Sequence, residues 1–114
     1  MKREIGDYIE DIIEAMNNVM AFIKDMSYQE FIKDTKTMYA VIRGIEIIGE
    51  AVKNIPEGIR EKYPDIPWQA IAGMRDKVIH AYFGVKIERV WEVVRRDIPK
   101  LKPEFEKMLE SLKE

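Results

Sequence analysis

Apolar residues recur at steps of three and four along most of the chain, and that spacing predicts helices. Ile5, Tyr8, Ile9, Ile12, Met16, Val19, Met20 and Ile23 form one stripe on a helix from about residue 2 to 25. Asp7, Glu10, Asp11, Glu14 and Asn17 mainly fill its other side. Gly6 costs about 1 kcal/mol inside a helix, so fraying is expected at that end. Ser27-Tyr28-Gln29-Glu30 has the form of a capping box and should open a short turn through Phe31 and Ile32. Asp34 or Thr35 then caps a second long helix. Its stripe is Met38, Val41, Ile45, Ile48, Val52 and Ile55, widened by Ile42 and Gly49. The spacing fits a helix packed nearly antiparallel to its neighbours. Gly44 and Gly49 either let another backbone come close or are only tolerated.

Pro56 is expected to stop this helix. Pro56, Pro64 and Pro67 bracket a loop with one short turn around Gly58 to Lys62. Proline suits a first helical position, so a third helix should run from about Pro67 to Ala81. Ile71, Met74, Val78 and Tyr82 lie along one side of it, and Gly84 should end it. Ile87, Val90, Trp91, Val94 and Ile98 predict a fourth helix. Pro99 and Pro103 mark a break or bend before a last one carrying Leu101, Phe105, Met108, Leu109 and Leu112. No run alternates as a strand would, and no internal repeat occurs. The expected fold is an all-α, antiparallel bundle of four to five helices, one domain over residues 1–114.

Composition narrows the function classes. A net charge of -2 gives no bulk basic character, so any nucleic-acid site must be a local patch. The absence of cysteine excludes disulfides and thiolate metal sites. No apolar run approaches the ~20 residues of a membrane span. Glu4, Asp7, Glu10 and Asp11 interrupt any signal-peptide core at the N-terminus, so a cytoplasmic location is expected.

Chemistry concentrates in Met74-Arg75-Asp76-Lys77-Val78-Ile79-His80-Ala81-Tyr82, which holds the only histidine. His80 can accept and donate a proton near neutral pH. Arg75 offers a planar, permanently charged fork suited to phosphate. Asp76 sits one turn before His80 and could orient or charge the imidazole, while Tyr82 adds a hydroxyl. Arg75 and Tyr82 fall almost on one line of an ideal helix, but His80 lies about 140° round from Arg75. One regular helix therefore does not bring arginine and histidine to one phosphate. Either the helix distorts near Gly84 or a second copy supplies the missing group. The bland reading is a surface or capping histidine beside a core tyrosine. Trp68 and Trp91 are most simply packing residues. Glu46 and Glu50, one turn apart, are the carboxylates that could hold magnesium. Flanked by Arg43 and Lys53, they read more simply as solvated charges.

Arg75-Asp76-Lys77-Val78-Ile79-His80 resembles the arginine–histidine motif of HEPN domains, and with Tyr82 it takes the R-x4-H-x-Y form of HepT-type toxins. The likeness extends to Val41–Ala51, to Ile66–Arg75, to Val90-Trp91-Glu92 and to Asp97-Ile98-Pro99. The resemblance implies an all-helical homodimer whose motif helices face one another across a cleft. It implies the toxin of a toxin–antitoxin pair, cutting RNA, tRNA among its targets, without a metal or other cofactor. It also implies an MntA-type nucleotidyltransferase partner that silences the toxin by moving AMP onto the motif tyrosine, here Tyr82. Arg75 and His80 would be catalytic, with Asp76 and Tyr82 supporting them. Two positions depart from the usual pattern. Asp76 stands where asparagine is common, and Ala81 where glycine is common after the histidine. A carboxylate near an RNA phosphate repels it unless paired, and it favours the charged imidazole. Asp76 thus speaks for an alternative: a non-catalytic, nucleotide-binding helical partner of a minimal nucleotidyltransferase.

Overall fold

Seven α-helices follow one another in the computed structural model of the protein, which describes residues 4–81 and 87–113, those from 75 to 81 by backbone alone. They are α1 (Ile5–Phe22), α2 (Tyr28–Lys33), α3 (Thr35–Val52), α4 (Glu57–Arg60), α5 (Trp68–Ala81), α6 (Ile87–Glu92) and α7 (Ile98–Lys113), with a π-helical turn, Val93–Asp97, between α6 and α7. No strand occurs among the described residues. The fold is the all-α one expected: four long helical bodies with two short helices in the connections.

The apolar stripes become the core. Ile9, Ile12, Met16 and Val19 of α1 meet Val41, Ile45, Ile48 and Val52 of α3, and all are fully buried. Each such side chain contributes about 1.5–3 kcal/mol relative to exposure. The α3 helix packs between α1 and α5, and α1 also packs on α7. The start of α1 lies against the end of α7, since Gly6 sits beside Leu109, so these two run antiparallel. Trp68 and Phe105 meet edge to face at 5.7 Å and join α5 to α7. Phe31 of α2 packs on Trp91 of α6 at 5.2 Å, so both tryptophans serve packing, as their simplest reading had it.

Helix starts follow the capping chemistry. The Glu30 backbone N–H donates to Ser27 Oγ (3.1 Å), and the Ser27 N–H donates to Glu30 Oε1 (3.0 Å). Asp34 caps α3 by accepting from the Thr37 N–H (3.0 Å) and the Thr37 hydroxyl (2.7 Å). These bonds to charged carboxylates hold both acids below their ordinary range. For Glu30 the first cause is the Ser27 N–H, and for Asp34 the Thr37 N–H. At α1 the Glu4 N–H donates to Asp7 Oδ2 (3.0 Å), a tie that offsets the fraying expected from Gly6. Asp25, with φ of 61°, makes the left-handed turn between α1 and α2.

Two expectations built on proline are refined. The regular α3 helix ends at Val52, and two tighter backbone turns, from the Asn54 N–H to the Ala51 carbonyl (3.0 Å) and from the Ile55 N–H to the Val52 carbonyl (3.1 Å), carry the chain up to Pro56, with side chains adding donors. Arg60 Nη2 donates to the Val52 carbonyl (2.7 Å) and Arg60 Nε to that of Ile55 (2.9 Å), while Asn54 Nδ2 donates to that of Glu50 (3.0 Å). Pro99 and Pro103 do not break the chain into separate helices. The helical path runs from Ile87 to Lys113, and the irregularity precedes Pro99 as the π-turn, where the Ile98 N–H reaches the Val93 carbonyl. Pro99 follows the π-turn directly, at the point where the regular i→i−4 ladder is already interrupted.

Candidate functional site

The motif helix is fixed at its entry. Trp68 Nε1 donates to the carbonyls of Tyr63 (3.0 Å) and Arg60 (3.1 Å), and the Arg60 guanidinium lies 5.7 Å from the centre of the Trp68 ring. Arg60 thereby ties the end of α3, the α4 turn and the start of α5 together. Pro67 stands just outside α5, its carbonyl accepting from the Ile71 N–H at 3.0 Å.

From there α5 is an unbroken α-helix through Arg75, Asp76 and His80 to Ala81. The side chains of Arg75, Asp76 and His80, and all of Tyr82 and Gly84, lie outside the described residues. Backbone register still assigns faces. Position 75 falls on the stripe of Trp68 and Ile71, both buried. Position 80 falls on the stripe of Gln69, Gly73 and Asp76, about 140° away from position 75. Gln69 is exposed, and a methyl group at Gly73 would meet no atom within 4 Å, so that stripe is open where its side chains are described. No distortion up to Ala81 brings positions 75 and 80 together.

A cleft of about 320 Å³ runs along another side of α5, between it and the α6–α7 body. Its floor is apolar, from Ala70, Ile71 and Met74 on α5 and Val90, Val93 and Leu101 opposite. Its rim carries Arg89, Glu92, Asp97 and Lys100. Arg89 and Glu92 pair at 3.4 Å, whereas Asp97 and Lys100 make no ion pair among the described residues. The π-turn forms part of this wall, and such turns are frequent at functional sites. Sequence reasoning did not find the cleft. Its signal was Pro99 directly after an amphipathic run, which read as a break.

Charge is divided unevenly. From Glu4 to Phe22 there are five carboxylates and no lysine or arginine. From Arg89 to Lys102 there are five cations, Arg89, Arg95, Arg96, Lys100 and Lys102, against Glu92 and Asp97. The α6–α7 body therefore holds the more basic stretch of the chain, while the cleft rim itself sets two cations against two carboxylates. Arg95 leans over Trp91 (6.0 Å to the ring centre) and Arg96 is exposed. Glu46 and Glu50 both lie near Arg43 Nη1, at 3.7 and 4.0 Å, as solvated surface charges do. Among the described residues no group of three or more His, Asp or Glu is placed to hold a metal ion. No described helix is long and apolar enough to cross a membrane.

Sequence comparison with known proteins shows the family. The family model described as "Ribonuclease HepT-like" matches residues 12–108. A Methanocaldococcus jannaschii protein named "Putative RNase" is 53% identical over 113 residues, covering 99% of this chain and 97% of its own. A Thermococcus cleftensis protein named "Probable ribonuclease HepT" is 51% identical over 108 residues, covering 95% and 98%. No solved structure matches the chain. The helical fold, the motif carried on α5 and these full-length similarities together place the chain in the ribonuclease HepT-like family.

Proposed function

We propose that the protein is the toxin of a toxin–antitoxin pair, a homodimeric, metal-independent endoribonuclease acting on RNA, tRNA in particular. The family match and the relatives named as ribonucleases support the nuclease part of this reading, and the regularity of α5 through the motif is what suggests a shared site. With positions 75 and 80 about 140° apart, one regular helix does not by itself converge both on one phosphate. A second copy packed along the stripe of Gln69, Gly73, Asp76 and His80 puts two imidazoles at one seam, and the long Arg75 side chains have to reach round α5 to join them.

In this scheme neutral His80 takes the proton of the RNA 2′-hydroxyl, and that oxygen attacks the adjacent phosphorus. The bond from phosphorus to the 5′-oxygen breaks, and the imidazolium of the partner's His80 protonates the leaving oxygen. Arg75 stabilises charge on the phosphoryl oxygens. The products are a 2′,3′-cyclic phosphate and a 5′-hydroxyl. Asp76 favours the imidazolium, and Tyr82 positions the phosphate. AMP carried onto Tyr82 by a cognate MntA-like nucleotidyltransferase would add bulk and negative charge at the cleft and silence it.

Purified protein incubated with tRNA in EDTA tests the reading. Cyclic-phosphate ends should accumulate with the wild type and not with His80→Ala. Equal rates for the two would remove the acid–base role. Mass spectrometry after co-expression with the nucleotidyltransferase should find AMP on Tyr82. An unmodified tyrosine removes that route of silencing. Asp76 favours a second reading, a non-catalytic nucleotide-binding partner subunit, for which the EDTA assay yields no cleavage at all.

A further inference from the structure

We infer that the cleft between α5 and the α6–α7 body is a nucleobase subsite, selecting a base that bears an exocyclic amino group. This rests on the ribonuclease reading for its biological sense but not for its test. Three observations bear on the occupant. The first is position: Met74 lies about 120° round α5 from position 80, outside the stripe along which two copies are proposed to meet. The second is charge. The rim carries Arg89 and Lys100 against Glu92 and Asp97, and since Arg89 is paired with Glu92, Lys100 is the rim cation left for a phosphate among the described residues.

The third is the lining. Some 320 Å³ over Met74, Val93 and Leu101 holds a flat ring with part of its ribose. Unstacked RNA bases are bound by such apolar surfaces on their faces and by hydrogen bonds at their edges. At the rim, Glu92 is engaged by Arg89, whereas Asp97 and Lys100 are uncommitted among the described residues. The Asp97 carboxylate accepts from the amino group of cytosine, adenine or guanine. Uracil lacks the amino group, and its N3–H donor sits between two carbonyl oxygens that a carboxylate repels. Lys100, three residues on, faces the nucleotide's phosphate as a point charge.

The test titrates the intact wild-type protein, with methionine methyls labelled with carbon-13, with CMP, AMP, GMP and UMP. The Met74 signal is assigned through Met74→Leu. The three amino-bearing nucleotides should shift it saturably, at concentrations at least about fivefold below those UMP needs, a ratio that one such hydrogen bond supplies. Asp97→Asn should abolish that preference while binding persists. Ala70→Trp, at an exposed position on the cleft wall, should abolish the shift with the thermal melt unchanged. If it does not fold, Lys100→Glu takes its place and should weaken all four nucleotides at least about fivefold. The inference falls if UMP matches CMP, if no nucleotide moves Met74, if the preference survives Asp97→Asn, or if Met74 shifts with protein concentration alone, since a second copy then fills the cleft. Nucleotide binding without RNA cleavage would sink the nuclease reading and leave the subsite standing. Cleavage with no nucleotide at Met74 would do the reverse.

Discussion

The two sides of α3 are built to opposite ends. Toward α1 the packing is closed: a methyl group added at Gly44 would overlap Val19 Cγ1, and Ala15 and Val19 leave no gap beside it. Beyond α5, on the far side, the packing stops short and leaves a cleft with a charged rim and a π-turn in its wall. The outer surface of α1 is acidic, whereas the body behind the cleft carries the cations. The difference teaches where each half can be altered. The sealed apolar interface is scaffold, and changes there should register as stability. Changes on the open side, with its rim of mixed charge, should register as binding or rate.

The sharpest break between the halves is a change that moves one readout and not the other. His80→Ala should lower RNA cleavage by about 100-fold or more while leaving the melting temperature within experimental scatter. Cleavage lost together with the fold would place His80 in the scaffold instead. Gly44→Val should do the opposite, destabilising by about 1–3 kcal/mol through overpacking against Val19. Thermal melts read this as a fall of roughly 4–8 °C per kcal/mol. Adding Val19→Ala should recover part of it, because the two sites share one space. Trp68→Phe tests the hinge between the halves. Loss of the indole N–H leaves the Tyr63 and Arg60 carbonyls without that donor, and urea unfolding should register about 1 kcal/mol.

The smallest expected effect is a pH dependence of the scaffold. Glu30 and Asp34 have folded pKa values depressed by their cap bonds, so the unfolded chain binds their protons more readily. Their stabilisation is present above the unfolded pKa and is lost as pH falls through the folded one. The urea midpoint should therefore hold steady above about pH 5 and decline in acid. Asp34→Asn should lessen that decline, and an unchanged slope would count against the assignment.

Most of the scaffold could be read from the chain because helical period, caps and core obey local rules. Ser27 with Glu30, and Asp34 with Thr37, form the caps that their spacing announces. Gly44, singled out on α3, does make a close approach. What escaped were non-local contacts. Nothing near Arg60 in sequence says that it will cap α3 and cover Trp68. Pro99 and Pro103 suggested a break because sequence periodicity cannot distinguish a helix end from a π-turn followed by continued helix. For the site, the motif residues were evident from their chemical types. Their separation round α5 was evident from helical geometry. The cleft was not, since its walls lie about twenty residues apart in the chain and meet only in the fold.

Two copies are proposed to meet along the α5 stripe that carries His80, and the absence of native cysteine lets a single introduced thiol report on that seam. A single thiol introduced by Gln69→Cys lies on that stripe, whereas Asn17→Cys lies exposed on α1. Treated with a short bis-maleimide and run on a denaturing gel, the Gln69→Cys protein should appear as a covalent dimer and the Asn17→Cys protein as a monomer. A Gln69→Cys protein that stays monomeric, or that cross-links no better than the α1 control, would contradict a site shared between two chains.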